Sequence, residues 1–122
     1  MKHIITLCLV LLSVVGQAES IHFRVISKIK QVDLKDVGGK IEGNGQQISI
    51  DGAFLKFSNH DKAFDIKEKA YEEVKGDSYL TFVYYDHRRK YYATVLFDKN
   101  SEVIIIITDG SGSGYLYYCE VI

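Results

Sequence analysis

The stretch from Tyr79 to Thr108, YLTFVYYDHRRKYYATVLFDKNSEVIIIIT, leaves this chain few architectures. Tyr, Phe, Val, Ile and Thr dominate it, and their branched or ring side chains suit a pleated, half-buried surface. Two polar interruptions, HRR and DKNS, cut it into runs of strand length. The expectation is three consecutive antiparallel strands. Leu80, Phe82 and Tyr84 share one face of the first, and Tyr79, Thr81, Val83 and Tyr85 share the other. In the second, Tyr91, Ala93, Val95 and Phe97 oppose Tyr92, Thr94 and Leu96; the third, Val103 to Ile107, is apolar on both faces. A sheet with one side in water alternates apolar with polar. Here the second side is either covered or a Tyr-rich binding surface.

Ser20 to Lys30 starts with alternation, Ile21, Phe23 and Val25 against His22 and Arg24, which predicts a first strand. The alternation fails at Ile26, marking a bulge or the strand's end. Val32, Leu34 and Val37 fit a strand or a short helical turn, and Gly38, Gly39, Gly43 and Gly45 predict a loop. Ile48 and Ile50 alternate with Ser49 and Asp51. Asp51-Gly52 then supplies a hairpin turn into Phe54–Phe57. Asn59 to Lys62 is a polar turn, and Phe64 and Ile66 predict a returning strand.

KEKAYEEVK, residues 67–75, is the conflict: helical by propensity, but placed between strands. An irregular or extended edge segment is expected, with a helix of one or two turns as the alternative. Asp109 to Gly114, DGSGSG, predicts a flexible hairpin connector, and YLYYCEVI predicts the final strand. The fold class is therefore all-β: an antiparallel meander of six to eight short strands forming a small barrel or sandwich.

Residues 1–18 are set apart from that fold. Lys2 and His3 precede an apolar run from Ile4 to Val15, followed by Gly16-Gln17-Ala18, with small residues where signal peptidase requires them. The run is short for a bilayer core of about 30 Å. A cleaved signal peptide over 1–18 and a single all-β domain over 19–122 are expected. The protein is then exported to the periplasm or beyond the cell, with no integral membrane segment after cleavage. The leader holds one lysine and no acid, so the formal charge moves from −1 to −2. That balance argues against nucleic acid as a partner. Of the two cysteines, Cys8 leaves with the leader, and Cys119 is expected to be a buried thiol in the last strand, the alternative being a reactive thiol or a disulfide between chains.

Chemistry-bearing clusters are sparse. His60-Asp61, Asp86-His87 and His22 are the candidates for acid–base or metal work, but each His–Asp pair sits in a predicted turn, where Asp occurs for local hydrogen bonding. Metal sites need three or four converging ligands. No catalytic residue, metal or cofactor is assigned. His87-Arg88-Arg89-Lys90 gathers positive charge at one hairpin tip between tyrosine pairs, which suits a carboxylate, a phosphate or a sulfated sugar. A solvated turn would carry the same charges. The tyrosines concentrate in the last four predicted strands, and Tyr offers rigid area with a polar tip. The candidate binding surface is Tyr84, Tyr85, Arg88, Arg89, Tyr91, Tyr92 and Tyr117.

ISIDGAFLKFSNHDKAFDI (48–66), the Tyr79–Phe97 hairpin and YLYYCEV resemble small secreted all-β proteins of unknown function from Bacteroidetes. The likeness lies in short strand pairs, the Phe64-Asp65-Ile66 strand, an Asp-turned central hairpin and a Tyr-rich C-terminal strand. It implies export and a compact sheet fold and brings no catalytic residues. The functional expectation is a non-enzymatic exported domain that binds a protein, glycan or small-molecule ligand through its Tyr-rich sheet. The alternatives are a small-molecule carrier of lipocalin-like barrel type, its cavity lined by Phe82, Val95 and Ile105, or a small enzyme inhibitor.

Overall fold

A computed structural model describes residues 20–98 and 102–122. The expected leader at 1–18 and most of the DKNS turn lie outside the described residues. Three quarters of what is described is strand. The strands are β1 (Ser20–Val32), β2 (Lys35–Glu42), β3 (Gln47–Asp51), β4 (Phe54–Phe57) and β5 (Ala63–Asp65), then β6 (Lys67–Val74), β7 (Asp77–Asp86), β8 (Arg89–Phe97), β9 (Val103–Asp109) and β10 (Gly114–Val121).

One antiparallel sheet holds them in the order β5-β4-β3-β1-β10-β9-β8-β7-β6, with β2 paired to β1 off that path. The two ends of this order are neighbours in sequence, since only Ile66 separates β5 from β6. The Ile66 amide donates to the Ala53 carbonyl at 2.8 Å, and its side chain is buried. The sheet therefore curls until it meets itself, giving a nearly closed barrel. Near-closure leaves less exposed strand edge than a flat sheet would present. It also resolves the two-faced apolar meander: inward side chains fill the barrel, and most outward ones stay half-buried or exposed.

Period-two alternation fixes what goes inside. Phe23, Ile48, Ile50, Leu55, Leu80, Val95, Phe97 and Ile105 are all essentially inaccessible to water. Phe23 and Phe97 meet across the interior with ring centroids 6.0 Å apart. Each such side chain contributes about 1.5–3 kcal/mol by leaving water. The layer is packed, so Phe82, Val95 and Ile105, at 3%, 0% and 1% exposure, form core and not the wall of a carrier cavity.

Two expectations are corrected. The glycine-rich segment after Val37 is a loop only in its second half, where Gly43 and Gly45 lie in the turn between β2 and β3: Gly38 and Gly39 lie within β2, whose eight residues are all exposed. Its backbone finds partners on β1, from Lys35 opposite Val32 to Glu42 opposite Ser27. Pairing with an available strand outweighs the weak intrinsic preference of glycine. The Asp109–Gly114 connector, expected to lack a single shape, is organised by its own aspartate. Asp109 Oδ1 accepts from the Ser111 amide (2.9 Å), the Ser111 hydroxyl (2.6 Å) and the Ser113 amide (3.2 Å).

The 67–75 segment takes the extended form. β6 lines up along β7, with Tyr71 opposite Leu80 and Val74 opposite Asp77. Helix propensity favours this sequence by only tenths of a kcal/mol per residue, and the β7 backbone needs a partner on that side. Asp51-Gly52 does turn a hairpin, with Gly52 and Ala53 at its tip and Asp51 opposite Phe54. Cys119 is buried in β10, as expected.

Candidate functional site

The barrel is filled at one end and open at the other. A cleft of about 490 Å³ lies at the open end. Aromatic side chains from β4, β5, β7, β8 and β10 form its walls: Phe57, Phe64, Tyr84, Tyr91, Tyr115 and Tyr117. They line it because each occupies the inward parity of its strand near the mouth. Tyr84 faces Tyr91 across the β7–β8 ladder, and the two rings stack at 5.2 Å and 12°. Phe64 meets Tyr84 at 5.1 Å where β5 approaches β7, across the seam of the barrel. His60, from the turn before β5, sets its ring edgewise to Phe57 and Phe64 at about 6 Å from each. Tyr115 and Tyr117 form a second ring pair at 6.0 Å.

Burial holds the phenols of Tyr84 and Tyr117 in their neutral form. Desolvation pushes both upward. Tyr117 and Tyr91 add to the effect on Tyr84, and Tyr115 and Cys119 add to that on Tyr117, which reaches about 12. Each hydroxyl therefore remains a donor well into alkali.

A basic wall faces the rings, and a bulge puts it there. In β1, Val25 pairs with Cys119 and Ser27 pairs with Tyr118, so Ile26 is the extra residue and is thrown outward, 56% exposed. One inserted residue exchanges the two faces of a strand. Before the bulge, Ile21, Phe23 and Val25 point into the core. After it, Lys28 lies opposite Tyr117 and Lys30 opposite Tyr115, on the cleft side. The Lys28 ammonium sits 5.1 Å from the Tyr115 ring centroid and 3.4 Å from the side-chain oxygen of Gln46.

The sequence-derived surface divides in two. Tyr84, Arg89, Tyr91 and Tyr117 line the cleft. Tyr85 and Tyr92 point outward from the same hairpin, 46% and 47% exposed. Arg88 occupies the hairpin turn, exposed, and is not among the cleft residues. Arg89 reaches Asp109 at 3.6 Å, Lys90 reaches Glu68 at 3.7 Å, and His87 lies 3.5 Å from Asp86. The basic tip is thus mostly engaged by local acids. His22 lies on the outer face of β1, its Nδ1 2.8 Å from the Ser49 hydroxyl. Among the described residues no three His, Cys, Asp or Glu side chains come together as metal ligands, and no helix is long and apolar enough to cross a membrane.

Sequence reasoning missed Phe57, Phe64, Tyr115, Lys28 and Lys30 as cleft residues. The signal for the lysines was the failed alternation at Ile26: carrying the phase through one extra residue places both on the Tyr117 face. No protein-family profile, curated protein or solved structure matches this chain.

Proposed function

We propose that this chain is a non-enzymatic exported domain that binds a small, ring-bearing ligand in the mouth cleft. The observation that carries this reading is the convergence of six aromatic side chains from five strands on one open cleft above a packed core. A cleft of that volume, with aromatic walls facing charged and polar side chains, has the make-up of a small-ligand site. Rings fixed on strands need little ordering to receive a flat ligand. Tyr84 and Tyr117 add hydroxyl donors to orient it. The sequence-based expectation of a Tyr-rich surface is retained here in altered form, with the inward tyrosines as the site.

A second reading places a protein or glycan partner on the outer face, where Tyr85 and Tyr92 are the exposed rings. One experiment separates the two. Amide NMR spectra of the exported chain are recorded during titration with a library of sugars and aromatic acids, alcohols and amines. The cleft reading expects shifts at Tyr84, Tyr91, Tyr115 and Tyr117, abolished by Tyr91→Ala and unaffected by Tyr92→Ala. Shifts confined to Tyr85, Tyr92 and their neighbours would transfer the function to the outer face. Silence from the whole library at millimolar concentration would defeat the cleft.

A further inference from the structure

We infer that the ligand carries an anionic group, a carboxylate on a ring, and that Lys28 and Lys30 are the residues that select it. This rests on the cleft reading above and adds the charge of the ligand to it. The two lysines are on the cleft side only because of the Ile26 bulge, which turns them to face Tyr117 and Tyr115. Were β1 to pair regularly through Ile26, this wall would be taken by Ser27, Ile29 and Gln31, and the lysines would point to water.

Their charges are unspent. Among the described residues neither lysine forms an ion pair, and Lys28 donates to the neutral amide of Gln46. The acid on the adjoining strand is already satisfied. Asp109 accepts three hydrogen bonds from Ser111 and Ser113 and faces Arg89. Its carboxyl is accordingly held below the ordinary range, first by the Ser111 hydroxyl and then by the backbone of Ser113 and Ser111. An arriving anion therefore meets two ammonium groups that lack a counter-ion, whereas an arriving cation meets two carboxylates that already have partners, Asp109 with Ser111, Ser113 and Arg89, and Asp86 with the His87 ring at 3.5 Å.

The rings point the same way. A cation would seek the face of a tyrosine, but the face of Tyr115 is taken by the protein's own Lys28 at 5.1 Å. A ligand that stacks a ring and presents a carboxylate to Lys28 and Lys30 uses the whole cleft; a neutral ring uses half of it. Lysine is a point charge with rotatable donors and imposes no fork geometry, so the chemistry fixed by the cleft is ring plus anion, with the ring carboxylate as its simplest form. A uronic acid sugar and an aromatic carboxylic acid both supply it.

The test titrates the exported chain with five probes, read by amide shifts of the cleft residues: glucuronate, glucose, benzoate, benzyl alcohol and benzylamine. A charge-assisted contact is worth enough to make each acid bind about tenfold tighter than its neutral partner. The stronger of glucuronate and benzoate then identifies a sugar or an aromatic source. Lys30→Gln, a change at an exposed side chain, should weaken the acid about tenfold and leave the neutral probe unchanged, and raised salt should act in the same direction. Equal binding of acid and neutral partner, tighter binding of benzylamine, or an acid affinity untouched by both Lys30→Gln and Lys28→Gln would each overturn the inference while leaving the cleft as a site. No shift with any probe would overturn both.

Discussion

Lys28 stands opposite Tyr117 although Val25, three residues earlier, stands opposite Cys119, only two residues from Tyr117. Three steps along β1 match two along β10, and that mismatch converts an apolar strand face into the basic wall of the cleft. The bulge is held from the far side. The Gly43 amide donates to the Ile26 carbonyl at 3.0 Å, and the Val25 amide donates to the Gln46 carbonyl at 2.9 Å.

Gly43 is the residue this arrangement cannot replace. A Cβ there would lie 1.8 Å from the Val25 carbonyl oxygen, a collision with backbone that no rotamer relieves. Gly43→Ala should destabilise the domain by about 3 kcal/mol in urea unfolding, the upper part of the overpacking range. Gly45→Ala is the comparison. Its φ of +80° is strained for alanine, but it has open space around it, so about 1 kcal/mol is expected. Equal costs would mean that the bulge does not depend on close approach at Gly43.

The β7–β8 turn offers the opposite change. Asp86 pairs with Arg89, leaving His87 and Arg88 as a two-residue connection with φ of 49° and 72°. Such turns favour Asn-Gly, because both central residues lie in the left-handed region. Arg88→Gly removes a side chain from that region and should raise stability by about 1 kcal/mol, or about 5 °C in Tm. Arg88 is not a cleft residue, so ligand affinity should be unchanged. A loss of affinity in this variant would return the site to the hairpin tip.

Much of this fold is legible in the sequence, because it rests on alternation. The meander, the Asp51-Gly52 hairpin and the final Tyr-rich strand all announce themselves by period two and turn residues. β2 does not: Lys35–Glu42 buries no face, so it leaves no pattern, and its existence depends on β1 offering a free edge. The cleft is half legible. Tyr84, Tyr91 and Tyr117 stand out by composition, but parity alone separates them from Tyr85 and Tyr92. Parity matters only once the sheet has curled and one face has become an interior. Closure through Ile66 is a long-range event, and nothing near Ile66 encodes it.

The Asp109 connector tests whether a carboxylate can order a glycine-rich loop. Its stabilisation comes from the ionised form, whose carboxyl is held below the ordinary value of 3.8. The contribution is present above that value and is lost as pH falls through the lowered one. Asp109→Ala should therefore lower the hydrogen-exchange protection factors of the Ser111 and Ser113 amides at neutral pH, and acidification of the native protein should lower the same two protection factors once the intrinsic pH dependence of exchange is divided out. Protection factors indifferent to both treatments would mean that the loop is held by its hairpin alone.

At the alkaline end the buried tyrosine and thiol act together. Burial raises Tyr117 from 10.0 to about 12 and Cys119 from 9.0 to about 12. In the unfolded chain these groups ionise at their ordinary values, so between roughly pH 9 and 12 it is the folded state that binds more protons. Stability is complete below that window and falls as pH rises through it, by about 2 kcal/mol for Tyr117 alone. Tyr117→Phe removes that share, so its urea midpoint should decline less steeply than the wild type between pH 10 and 12. The same burial keeps the Cys119 thiol protonated and shielded. At pH 8 a disulfide reagent should label it slowly in the native protein and at once in urea. Prompt labelling of the native thiol would show that β10 opens readily, and the alkaline decline would then report strand opening, with burial of the phenol contributing nothing to it.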